Sequence, residues 1–149
     1  MHAFVITGTA PHSANASGRP GRERRRLWKE RVRSFRPSGG ASAPIEGPLY
    51  AAVYYFHSRP TGLDADNLSK PILDALQGLA YEDDRQVKLR HAGTFDLSVG
   101  FDLLDTSRLP QAIFDDLIEA VNGEEHTVYV EIGRLHYTSH FRFGREIPS

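Results

Sequence analysis

The segment LDADNLSKPILDALQGLAYEDDRQV, residues 63–87, gathers Asp64, Asp66, Asp74, Glu82, Asp83 and Asp84 around one short apolar helix pattern that carries a single lysine, Lys70. Two carboxylates about 5 Å apart repel by roughly 3 kcal/mol at an effective dielectric near 20, so a cluster of three needs a counter-charge. The chain has no cysteine, and no histidine falls inside this window. The available donors are therefore carboxylates and water, a hard set that favours Mg²⁺, with Mn²⁺ as a substitute, over Zn²⁺. Such a centre keeps open positions for phosphate oxygens and a water nucleophile, which is the chemistry of metal-assisted phosphodiester hydrolysis. Asp64, Asp66 and Asp84 are the candidate metal ligands. Lys70, four residues after Asp66, is the candidate to stabilise charge developing on phosphate. Each element also has a plainer reading. Aspartates at a strand-to-helix turn act as caps, with Asp66 or Asn67 suited to the role. Lys70 stands at ion-pairing distance from both Asp66 and Asp74.

Positioning these residues requires a strand before them and another after. GPLYAAVYYFH, residues 47–57, is a nearly continuous run of branched and aromatic residues and predicts a central strand. Asp64 and Asp66 follow where that strand hands over to a helix. Read as extended chain, residues two apart point the same way. Leu68, Ile72, Leu73, Leu76 and Leu79 mark the helix, and Pro71 is expected near its first turn. RQVKLRHAGTFDLSVGFDL predicts one or two strands. If the first lies beside 47–57, Asp84 returns towards the Asp64–Asp66 pair. HAFVITG, residues 2–8, reads as a first strand. Trp28, Val32 and Phe35, with Leu27 beside them, form the apolar stripe of a helix from about Arg22. SRLPQAIFDDLIEAV predicts another helix, on Ile113, Leu117, Ile118 and Val121. HTVYVEIGRLHY alternates Val128, Val130 and Ile132 against Thr127, Tyr129 and Glu131, a strand with one buried face. Together these predict an α/β (α+β) domain over 1–149, a small mixed β-sheet with helices packed on it. Residues 36–46 are expected to be a mobile loop and 141–149 a frayed tail.

The formal net charge of −1 hides a segregation of charge. Residues 18–36 hold half of the 18 Lys and Arg residues, and the remainder of the chain is acidic. A basic arm of this kind suits a polyanion. Arg22, Arg24, Arg25, Arg26, Lys29, Arg31 and Arg33 are the first candidates for phosphate contacts, with Arg59, Lys88, Arg90, Arg142 and Arg145 secondary. The absence of cysteine excludes disulfides and thiol catalysis. The opening MHAFVITGTA lacks a basic leader, and no apolar run nears the roughly 20 residues a bilayer span needs, so a cytoplasmic protein with no membrane partner is expected.

DADNLSKPILDALQGLAYEDDRQV resembles the signature of RusA-type Holliday-junction resolvases. The resemblance implies a RusA-like fold, a homodimer, dependence on Mg²⁺ and symmetric cleavage of four-way DNA junctions. It places the family's metal-binding aspartates at Asp64, Asp66 and Asp84, its essential lysine at Lys70, and an adjacent acid at Asp83. The helix near 109–121 is additional to the family's pattern. Two other readings stay open at this point: a branched-DNA-binding module without catalysis, and a small metal-dependent phosphoesterase.

Overall fold

The computed structural model describes residues 1–13, 18–34, 43–59, 61–100 and 105–136. Four strands, β1 (His2–Thr7), β2 (Leu49–His57), β3 (Val87–Asp96) and β4 (His126–Arg134), form one mixed sheet in the order β1-β4-β2-β3. Three helices accompany it: α1 (Gly18–Ser34), α2 (Ala65–Leu76) and α3 (Gln111–Gly123). This is the expected α+β architecture. β2 is indeed central, antiparallel to β4 on one side and parallel to β3 on the other. The parallel pairing of β2 and β3 requires a crossover, and α2 is that crossover.

Burial follows from the layering. Leu49, Ala51, Val53 and Tyr55 of β2 share one core with Val128, Val130 and Ile132 of β4, roofed by Trp28 and Val32 of α1 and by Leu68, Ile72 and Leu76 of α2. On the other sheet face, Ala3, Val5, Phe56 and Tyr129 pack with Leu117 and Ala120 of α3. The single buried face expected for β4 is thus corrected. Thr127 and Tyr129 are as buried as their neighbours, because β4 is an inner strand with helices on both sides. Helix α3 serves as the cover of that second face.

Several sequence expectations shift by part of a turn. Leu27 and Ile118 are exposed, displaced by about 100° from the buried stripes of their helices. Pro71 is not in the first turn of α2 but inside it, because the helix already begins at Ala65, capped by Asp64. Its missing N–H leaves the carbonyl of Asn67 without the usual helical donor, one turn from solvent at the helix start. The strand signal from 87 onwards is a single strand, closed by a 3₁₀ turn at Leu97–Val99. Of the loop expected over 36–46, residues 43–46 are described and anchored: the Ile45 N–H donates to the Ala80 carbonyl at 2.8 Å. The rest of that loop, Phe35, Arg142, Arg145 and the tail 141–149 lie outside the described residues. No described helix is long and apolar enough to cross a membrane.

Candidate active site

The β2–α2 junction is built around Asp64. Its backbone is extended, and its Oδ1 accepts both the Asn67 N–H at 3.0 Å and the Asn67 side-chain amide at 2.7 Å. This is the N-cap role that sequence reasoning offered to Asp66 or Asn67. Asp66 sits instead in the first turn, where its negative charge complements the helix dipole. The segment 64–66 is therefore not an extended pair with parallel side chains. Asp64 belongs to the cap and Asp66 to the helix surface, with both side chains at the N-terminal end of α2.

Asp66, Lys70 and Asp74 follow at four-residue steps and all three are exposed, which makes a charged ridge along α2. Lys70 pairs with Asp74, not with Asp66: its Nζ lies 3.2 Å from Oδ1 and 3.0 Å from Oδ2. Beside this pair opens a cleft of about 370 Å³ between α2 and β3, whose walls include Lys70, Asp74, Tyr81, Asp84, Lys88 and Arg90.

Asp84 is placed in that cleft by a tightly held turn. It opens a 3₁₀ turn over Asp84–Gln86, capped by Asp83, whose Oδ1 accepts the Arg85 N–H at 2.9 Å. Gln86 fastens the turn with both ends of its amide. Its Oε1 accepts from the N–H groups of Glu82 and Asp83, at 3.0 and 2.9 Å. Its Nε2 donates to the carbonyls of Ile45 and Gly47, at 3.0 and 3.1 Å. Asp83 is in addition paired with Arg85 at 2.6 Å, and that contact holds its carboxyl well below the usual carboxylate range. The adjacent acid is thus a cap and an ion-pair partner that presents Asp84. Tyr81 stiffens the cleft floor: its hydroxyl donates to the Leu73 carbonyl at 2.7 Å. Burial, then the nearby charges of Asp74 and Asp84, push that hydroxyl up to about 12.

The structure places Asp84 and Lys70 on the walls of one cleft. It does not bring all three predicted ligands together within one chain: among the described residues no three His, Asp or Glu side chains form a group able to hold a metal ion. Asp64 and Asp66 lie at the N-terminal end of α2, whereas Asp84 lines the cleft together with Lys70, Leu73 and Asp74 of the helix's later turns. In kind, the donors fit a hard divalent cation. Every acid on the ridge and in the cleft is a carboxylate, and the cap leaves Oδ2 of Asp64 without a hydrogen bond among the described residues.

The α1 arginines divide into two groups. Arg26 is paired with Glu23 and Glu30 at 2.6 and 2.7 Å. Arg31 donates to the Thr7 carbonyl, and Arg33 donates to the Ala75 carbonyl at 2.9 Å, a cation placed on the C-terminal end of α2. Those two clasp α1 to the fold. Arg22, Arg24, Arg25 and Lys29 stand exposed.

Sequence reasoning passed over Asp74, except as a pairing option, and over Gln86 and Tyr81. The four-residue spacing from Lys70 was a legible signal for the first. The other two act through contacts with residues 45–47 and 73, which no local pattern announces.

An α+β fold, one mixed sheet with helices on both faces and with acids and cations lining one helix–strand cleft, is the class to which this protein belongs. The model of the endodeoxyribonuclease RusA family matches residues 20–95, slightly more than half of the chain, and the chain belongs to that family. The match runs from α1 to β3 and so contains the whole cleft, leaving β1, α3 and β4 outside. Its members are nucleases that act on branched DNA. No curated protein matches the chain.

Proposed function

We propose that the chain resolves four-way (Holliday) junctions as a divalent-metal-dependent endonuclease, two copies in a two-fold dimer each cutting one strand in the cytoplasm. What supports this reading above all is the meeting of Asp84 and Lys70 in one surface cleft within the family's matched segment. In this proposal Asp64, through its uncommitted oxygen, Asp66 and Asp84, which stand apart in the chain as described, would have to converge on metal binding to hold Mg²⁺ or Mn²⁺. The bound cation supplies a more acidic water and neutralises phosphate charge.

The chain's own groups do the rest. Water attacks phosphorus in line, a new P–O bond forms, and the bond to O3′ breaks, leaving a 5′-phosphate and a 3′-hydroxyl. Lys70 directs its ammonium to the phosphoryl oxygens, where charge accumulates in the transition state. The exposed Arg22, Arg24, Arg25 and Lys29 meet phosphates further from the cut.

The test incubates the purified chain with an end-labelled four-way junction and, separately, a linear duplex, in Mg²⁺ and in EDTA. Paired nicks in the junction alone, abolished by EDTA and by Asp66→Asn with junction binding retained, are expected. An Asp66→Asn variant that cuts at the parental rate rules out the assigned site. Binding without cleavage under all conditions favours a DNA-binding module, and hydrolysis of a small phosphoester alone favours a phosphoesterase.

A further inference from the structure

The pairing of β2 with β3 contains one irregularity, and it lies at the cleft. Leu49 pairs with Val87 and Tyr50 with Leu89, so Lys88 is an extra residue, a β-bulge in a parallel ladder. Because side chains alternate with a period of two, one added residue reverses which face every later side chain occupies. Without the bulge, Leu89 would stand opposite Ala51, on the α2 side of the sheet, and Arg90 would face away. With it, Arg90 stands opposite Ala51, a fully buried small residue of the α2-side core. Val87, Lys88 and Arg90 all line the cleft, while Leu89 does not. The bulge thus turns two cations towards Lys70 and Asp84.

Both cations are exposed, and among the described residues neither makes an ion pair or a side-chain hydrogen bond. This contrasts with Arg26, Arg31 and Arg33 of α1, which have partners inside the chain. The cleft holds three cations against the carboxylates of Asp74 and Asp84, and Asp74 is already paired with Lys70. The net positive charge falls on the β3 wall.

We propose that the bulge at Lys88 builds a phosphate grip: Lys88 and Arg90 on β3, facing Lys70 on α2, hold a backbone phosphodiester of the bound DNA beside Asp84. A guanidinium offers two parallel donors to one phosphate, and an ammonium adds a point charge. This deepens the nuclease reading, on which it rests only for the identity of the strand as the one to be cut.

The experiment measures binding of a labelled four-way junction by fluorescence anisotropy without divalent metal, over a range of salt. The Lys88→Gln/Arg90→Gln double variant is expected to flatten the slope of log K against log salt by about 2 for each protomer on the junction. Its affinity should fall at least about tenfold at moderate salt, because two phosphate-contacting cations are lost from each protomer. Arg90→Lys keeps the charge and is expected to keep the slope. A double variant with the parental slope overturns the grip. So does an Arg90→Lys variant whose slope flattens as far as the double variant's, since the loss would then be structural. A parental chain that binds with the expected slope but never cuts refutes the nuclease reading and leaves the grip intact. A chain that cuts, with a double variant of unaltered slope, does the reverse.

Discussion

Both carboxylate oxygens of Asp74 accept from the ammonium of Lys70, at 3.2 and 3.0 Å, one turn apart on the exposed face of α2. The order of the pair, lysine first and acid last, is the less favourable one for a helix, and it leaves an acid in the last turn with no basic residue there. The pair therefore contributes little to stability. Its effect is to hold the ammonium at the cleft edge. Asp74→Asn is expected to lower the single-turnover cleavage rate by roughly tenfold, the scale of a misaligned catalytic group. Junction affinity should hold or rise as one negative charge leaves the cleft. The melting temperature should move by no more than about 3 °C, as for exposed pairs generally. Quenched-flow cleavage and calorimetry check the three readouts.

The Gln86 amide joins four backbone groups of two distant segments. Gln86→Ala removes all four bonds. At about 0.5–1 kcal/mol each in this half-exposed setting, the loss is roughly 2–4 kcal/mol. For a chain of this size that lowers the melting temperature by roughly 4–12 °C. Cleavage is expected to fall further than the unfolded fraction explains, because Asp84 loses the turn that presents it. Rates compared with circular dichroism at the same temperature separate the two losses.

Asp64 has two duties, and two substitutions separate them. Asp64→Asn keeps an N-cap oxygen, so stability stays within a few tenths of a kcal/mol. Asp64→Ala removes the cap and costs about 1 kcal/mol. Both are expected to abolish cleavage. Equal melting temperatures for the two variants would show that the cap bond contributes nothing.

Alkaline titration reads the phenols. Burial raises Tyr50, Tyr54, Tyr55, Tyr81 and Tyr129, with Glu131 adding to the shift of Tyr50, Tyr54 and Tyr129. Tyr50 and Tyr129 donate to the two oxygens of that one carboxylate. A phenol raised on folding favours its neutral form. Its stabilising contribution is complete below the unfolded value near 10 and is lost as pH rises through the folded value, about 12 for Tyr81. At a pH near 10 the folded chain should show well under half the phenolate absorbance of the same chain in denaturant, and Tyr81→Phe should remove one late-titrating group. Equal absorbance in the two states would contradict the burial of these rings.

The sequence by itself determined the elements and the chemical alphabet. Strand 47–57 announces itself by an unbroken run of branched and aromatic residues, α2 by leucines at helical spacing, and the acids with Lys70 by their crowding in one window. Those signals are local, and local propensity carries them. The tertiary structure decided what depends on residues distant in the chain. Whether β4 buries one face or two depends on its inner place in the sheet. Whether an arginine of α1 faces solvent or clasps a carbonyl depends on where Thr7 and Ala75 lie. The face of Arg90 depends on a single unpaired residue in the ladder with β2, because alternation has a period of two and one insertion reverses it. No composition or spacing records that insertion, since it exists only as a relation between two strands.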